Sequence, residues 1–168
     1  MEVEYPESQV AVGADGRRWR KCAAAAIFNS SGHLLVGERI KIRGAWNCPQ
    51  GGMDMCSRAH AGPETVLEAA AREAYEECGL ELGKHIAPIA EAAEDTLAVR
   101  YEAGGWLRNE GFAGQQLHWA LFVCTDPIGD AVPSACTSLE GRDGEAPEFS
   151  QVRTWAWARA HGAHAMGV

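Results

Sequence analysis

The sequence predicts one α/β domain, a sheet carrying one long amphipathic helix. Three observations support this. Short apolar runs bounded by turn residues read as strands, beginning with Cys22–Phe28 and His33–Glu38 on either side of Asn29-Ser30-Ser31-Gly32. One longer segment, Pro63–Cys78, has helical periodicity and a glycine just past its end. The chain has 168 residues, 46% of them hydrophobic and 23% charged, enough to bury one core without cross-links.

Residues 1–18 mix Glu, Pro, Gly and Ser without a period and are expected to be flexible, leaving 19–168 as the folded domain. Cys22–Phe28 (CAAAAIF) reads as a strand although alanine is a poor strand former. His33–Glu38 returns as its hairpin partner, and Ala45–Cys48 is a short extended piece stopped by Pro49. In Pro63–Cys78, Pro63 sits where a first helical residue is tolerated. Leu67, Ala70, Ala71, Ala74 and Cys78 form its apolar stripe, and Gly79 supplies the left-handed cap. Ile86–Ala93 and Thr96–Tyr101 are weaker strands, and Ala103–Gly114 reads as a loop. Gln116–Thr125 is a strand in which Leu117, Trp119, Leu121 and Val123 alternate. Asp126–Pro147 reads as a long loop and Val152–Trp157 as a last strand.

Composition excludes several classes. A net charge of −8 argues against a DNA-binding protein, which would carry a basic patch. The six cysteines form no C-x-x-C pair, so no zinc site is expected, and their use fits a reducing compartment. The N-terminus lacks the apolar core of a secretory signal, and the longest apolar run is too short to span a bilayer. The expectation is a cytoplasmic protein without a membrane partner, with organellar targeting and oligomeric state left open.

The chemistry is concentrated on the helix. Glu73, Glu76 and Glu77 lie three and four residues apart and so share one side. Like charges this close repel unless cations neutralise them, and carboxylate oxygens suit Mg²⁺ or Mn²⁺. A bare E-x-x-E-E is more often a solvated helix face. Here more is specified: Glu64 and Arg72 are two turns apart and can form an ion pair, and Pro49-Gln50-Gly51-Gly52 lies upstream, where the glycines let backbone approach a ligand.

Together these residues resemble the Nudix box, G-x5-E-x7-R-E-U-x-E-E-x-G-U with U apolar. Glu64, seven residues, then Arg72-Glu73-Ala74-Tyr75-Glu76-Glu77-Cys78-Gly79-Leu80 matches the second part at every specified position. The first part departs from the pattern: eleven residues separate Gly52 from Glu64 where the family has five, so the loop before the helix carries an insertion. Outside the box, Trp46-Asn47-Cys48-Pro49-Gln50-Gly51-Gly52-Met53-Asp54, Trp19-Arg20, Gly114-Gln115 with His118-Trp119, and Pro147-Glu148-Phe149 are similar to motifs of one subgroup. It contains the dinucleoside polyphosphate hydrolases and the bacterial RNA 5′-pyrophosphohydrolases.

The resemblance implies an α/β/α sandwich with a mixed sheet and the box as a loop-helix-loop, the family's C-terminal helix being short or absent. It implies a metal-dependent hydrolase of phosphoanhydride bonds in a nucleotide substrate, with a dinucleoside polyphosphate such as diadenosine tetraphosphate expected first. The RNA 5′ end is the alternative, and a non-catalytic Nudix-fold binding module is an alternative of another class. Glu73, Glu76, Glu77 and Glu148 are the implied metal ligands, and Glu73, Glu77 and Glu148 the implied catalytic carboxylates, with Glu73 and Glu148 both candidates for the general base. Arg20, Arg39, Gln50, Gly51, Gly52, Tyr101 and His118 are candidate substrate contacts, His118 standing where the family has lysine. Glu64, Arg72 and Gly79 are implied supports of the box. Tyr101 or Trp106 could stack on a base, though core packing explains either equally well.

Overall fold

The alanine-rich run lies at the centre of the sheet. In the structure, a computed structural model describing residues 5–54, 56–91, 98–125, 136, 139–140, 142 and 146–156, it belongs to an eleven-residue strand. The strands are β1 (Val10–Val12), β2 (Arg18–Phe28), β3 (His33–Arg39), β4 (Trp46–Asn47), β5 (Gln50–Gly52), β6 (Ile86–Glu91), β7 (Val99–Glu102), β8 (Gly114–Cys124) and β9 (Phe149–Ala156). The helices are α1 (Val66–Cys78) and the short α2 (Trp106–Asn109), with a 3₁₀ turn at Glu7–Gln9.

The sheet is mixed, as expected. Strand β2 runs parallel to β8 over ten register pairs, from Trp19 opposite Gly114 to Phe28 opposite Val123. Among the described strands the other pairings are antiparallel: β2 with β1, β3 and β5, β8 with β6 and β7, and β3 with β4 and β9. Side chains alternate across β2, so its alanines serve two faces. Ala23, Ala25 and Ile27 meet Ala69, Ala70 and Ala74 of α1, together with Ala120 and Phe122 of β8. Cys22 and Ala24 face the other way, toward Leu117, Tyr101 and Trp119. Small side chains let the helix backbone approach the sheet closely, which is what a close-packed interface at this centre requires. Packing here overrides the poor strand propensity of alanine.

Four expectations change. Within the segment expected to be flexible, residues 7–12 carry a turn and a strand, because Val10–Val12 pair with Arg18–Arg20 across the bend at Gly16. Pro63 does not start the helix. Thr65 is the N-cap, its hydroxyl accepting from the Glu68 N–H at 3.2 Å while the Glu68 carboxylate accepts from the Thr65 N–H at 2.8 Å. Gln50–Gly52, expected within the loop that feeds the helix, is a strand paired with Cys22–Ala24. Ala103–Gly114 contains α2, anchored by the buried Leu107. Gly79 does end the helix in the left-handed conformation, at φ 74°. The C-terminal helix, anticipated as short or absent, and most of the loop anticipated over 126–147 lie outside the described residues. Among the described residues no helix is long and apolar enough to cross a membrane.

Candidate active site

Strand β5 and helix α1 meet along one edge, and a cavity of about 780 Å³ opens there. Its polar end is lined by Glu73, Glu76, Glu77, Arg72 and Glu148, and its apolar wall by Trp46, Tyr101, Trp106, Leu117 and Trp119. The two glycines of β5 are needed for this geometry. A Cβ on Gly51 would run into the Glu73 carboxylate, and one on Gly52 into the Arg20 guanidinium.

Arg72 organises the carboxylates. Its Nε donates to Glu64 Oε1 at 2.9 Å and its Nη2 to Glu64 Oε2 at 3.0 Å, the ion pair expected from the spacing. Nη2 also donates to the Gly52 carbonyl at 2.7 Å, tying α1 to β5. Nη1 bridges Glu73 at 2.7 Å and Glu76 at 2.9 Å. Burial disfavours the Arg72 charge, but the hydrogen bonds and negative charge of Glu64 and Glu73 outweigh it and raise its pKa.

The Glu77 carboxyl is strongly perturbed. Burial, then the charges of Glu73, Glu148 and Glu76, push it up to about 9, against a hydrogen bond from the Gln50 N–H at 3.1 Å that lowers it. Four carboxylates therefore interact across one cavity. In this arrangement Glu73 and Glu76 are turned onto Arg72, and among the described residues no three acidic, histidine or cysteine side chains converge on one point. The donor chemistry nonetheless suits a hard cation: all oxygen, short of compensating charge, and next to Gln50, whose buried side-chain oxygen has no hydrogen-bond partner among the described residues.

The insertion is closed off at its base. The Glu64 N–H donates to the Asp54 carbonyl at 3.1 Å and the Asp54 N–H to Glu64 Oε2 at 2.8 Å, so the loop closes at its base and the extra residues project outward. The Ser57 hydroxyl donates to Glu68 Oε1 at 2.8 Å, and His60 Nε2 lies 3.1 Å from Glu68 Oε2, holding the loop against the first turn of α1.

Of the candidate substrate contacts, Arg20, Arg39, Gln50, Gly51, Gly52 and Tyr101 line the cavity. The Arg20 guanidinium lies 5.3 Å from the centre of the Trp106 ring. Tyr101 donates its hydroxyl to Gln115, and burial pushes its pKa up to about 12. His118 is the exception. It shares the helix-facing side of β8 with Ala120 and Phe122, buried and 3.0 Å from the Gln116 side-chain amide, whereas Gln115, Leu117 and Trp119 face the cavity. The two-residue strand period already separates His118 from Leu117 and Trp119. Sequence reasoning did not assign Arg58 to the site; its guanidinium lies 3.7 Å from Glu76.

Comparison with known proteins gives a consistent picture. A family model described as NUDIX domain matches residues 18–162. The RNA pyrophosphohydrolase of Erythrobacter litoralis (strain HTCC2594) is 34% identical over 147 residues, covering 83% of this chain and 76% of that protein. The RNA pyrophosphohydrolase of Bartonella clarridgeiae is 30% identical over 149 residues, covering 83% and 75%. Among solved structures, a C. elegans Ap4A hydrolase binary complex superposes with a TM-score of 0.50 at 18% identity, covering 80% of this chain and 78% of that one. A MutT protein from Methanosarcina mazei Go1 does so with a TM-score of 0.50 at 18% identity, covering 88% and 83%. At that identity the likeness concerns the fold alone.

Proposed function

The chain belongs to the Nudix family and is a hydrolase; on that premise we propose that it cleaves a phosphoanhydride bond of a nucleoside polyphosphate, with Mg²⁺ or Mn²⁺ held by Glu73, Glu76, Glu77 and Glu148. The observation that carries this reading is the pairing of four carboxylates with an aromatic wall in one cavity. The carboxylate end suits a phosphate chain brought in with its cations, and the aromatic wall suits a nucleobase.

The bound cation supplies charge neutralisation on the phosphates and a more acidic water. The chain's own residues do the rest. Arg72 and Glu64 hold the start of α1 against β5, so the carboxylates keep their spacing. Gly51 and Gly52 let the β5 backbone pass close to Glu73 and Arg20. Arg20 and Arg39 meet the phosphates, and Tyr101 lines the base pocket. Glu73 or Glu148 takes the proton of the attacking water. Glu148 is exposed, which favours exchange of that proton with solvent.

Two substrates share this chemistry. The names of the curated relatives favour the 5′ end of triphosphorylated RNA. The net charge of −8 favours a smaller substrate, a dinucleoside polyphosphate, because a long RNA gains most from basic surface. The test is a panel run with Mg²⁺ and with Mn²⁺: triphosphorylated RNA, dinucleoside polyphosphates, NADH, nucleotide sugars and nucleoside triphosphates. Release of pyrophosphate or phosphate from RNA supports the first substrate. Turnover of a dinucleoside polyphosphate alone supports the second, and turnover of none overturns the catalytic reading in favour of a binding module.

A further inference from the structure

The insertion between Gly52 and Glu64 is the feature the function above does not use. Its described residues are tied down by hydrogen bonds. Its base closes between Asp54 and Glu64, its interior is crossed by a hydrogen bond from the Ser57 N–H to the Gly62 carbonyl at 2.7 Å, and Glu68 holds both Ser57 and His60. Arg58 sits between these two anchored residues and is the one arginine or lysine in the insertion. From there it reaches two turns along α1, placing Nη2 3.7 Å from Glu76 Oε1. The other oxygen of Glu76 already accepts from Arg72 Nη1 at 2.9 Å. Glu76 is thus gripped from both sides, by an arginine of the box and by one the insertion delivers. Arg72 is largely buried and fixed by several partners, whereas the Arg58 side chain is 67% exposed.

We propose that Arg58 is a positioning residue that acts as an internal counter-cation: it holds Glu76 from the inserted loop and competes with the divalent cation for that carboxylate. The inference rests on the cation site proposed above. Its physical basis is charge. A guanidinium near a ligand carboxylate offsets the repulsion within the carboxylate cluster when no divalent cation is present, and it repels an incoming cation. Because Arg58 is mostly in water, it can be displaced at modest cost, so its effect is on affinity rather than on whether a cation can bind.

The test uses Mn²⁺ alone, titrated calorimetrically into the full chain, so the readout does not depend on turnover. Arg58→Gln removes the charge and is expected to tighten Mn²⁺ binding by about fivefold or more, since two unit charges near 4 Å in water interact on that scale and Mn²⁺ carries two. Arg58→Lys keeps the charge and is expected to bind Mn²⁺ like the wild type. A residue that merely braced the loop would weaken the site when removed, so tightening is the discriminating sign. Unchanged or weaker binding in Arg58→Gln overturns the inference and leaves the cation site standing. Absence of Mn²⁺ binding in the wild type overturns both.

Discussion

An acid pushed up to about 9 is not a fixed anion at neutral pH, and Glu77 is held in that state by burial and by Glu73, Glu148 and Glu76 around one cavity. A divalent cation changes the balance by stabilising the ionised form. The residue-scale expectation follows. Glu77→Gln removes the charge while keeping shape and an acceptor for the Gln50 N–H. It should leave the circular dichroism spectrum and melting temperature near wild type and lower turnover by about a hundredfold or more, as when one electrostatic support is removed from an active site. Wild-type turnover in this variant would remove Glu77 from the machinery. Residue identity alone made Glu73, Glu76 and Glu77 legible, since their spacing puts them on one helix side. It did not reveal Arg58, whose approach to Glu76 depends on how a loop folds back.

Local periodicity specifies most of helix α1. The apolar stripe, the Glu64–Arg72 pair and Gly79 all follow from local periodicity. The helix begins at Val66 rather than Pro63, because Glu64 is drawn into the Arg72 pair and the Asp54 N–H, and Thr65, in an extended conformation, becomes the N-cap. Thr65 and Glu68 then close a capping box, and Glu68 also receives Ser57 and His60. Thr65→Ala is expected to cost about 1 kcal/mol of stability. Chemical denaturation of variant and wild type checks it, and an unchanged midpoint would show that the cap is redundant with the loop contacts. Strand β8 gives the opposite lesson. Its alternation is legible, and the strand period, against the analogy with a family position, turns His118 to the helix-facing side.

Across the whole molecule, the raised acid makes stability depend on pH and on metal. Glu77 has an ordinary value of 4.5 and a folded value of about 9, so between these the folded protein keeps a proton that the unfolded chain has released. Stability therefore falls as pH rises through that window in the metal-free protein. A divalent cation bound to the folded state adds stability and favours the ionised carboxylate, flattening the slope. Thermal melts on either side of neutrality, with chelator and with Mg²⁺, measure this. A metal-free melting temperature that rises with pH across the window would contradict the assignment of Glu77 as the buried acid.

The sequence by itself determined the helix and its carboxylates, the hairpin of β2 and β3, the turn residues and the family, because each rests on spacings within a few turns of chain. Tertiary structure decided the parallel pairing of β2 with β8, the assembly of the aromatic wall beside Glu148, a ligand that the family resemblance already implied, on the cavity that α1 borders, and the fate of the insertion. These depend on contacts between residues far apart in sequence, whose partners no local period specifies. The six extra residues lengthen the loop without opening the site, because the Asp54–Glu64 bonds close its base and the contacts of Ser57 and His60 with Glu68 bring Arg58 within 3.7 Å of Glu76.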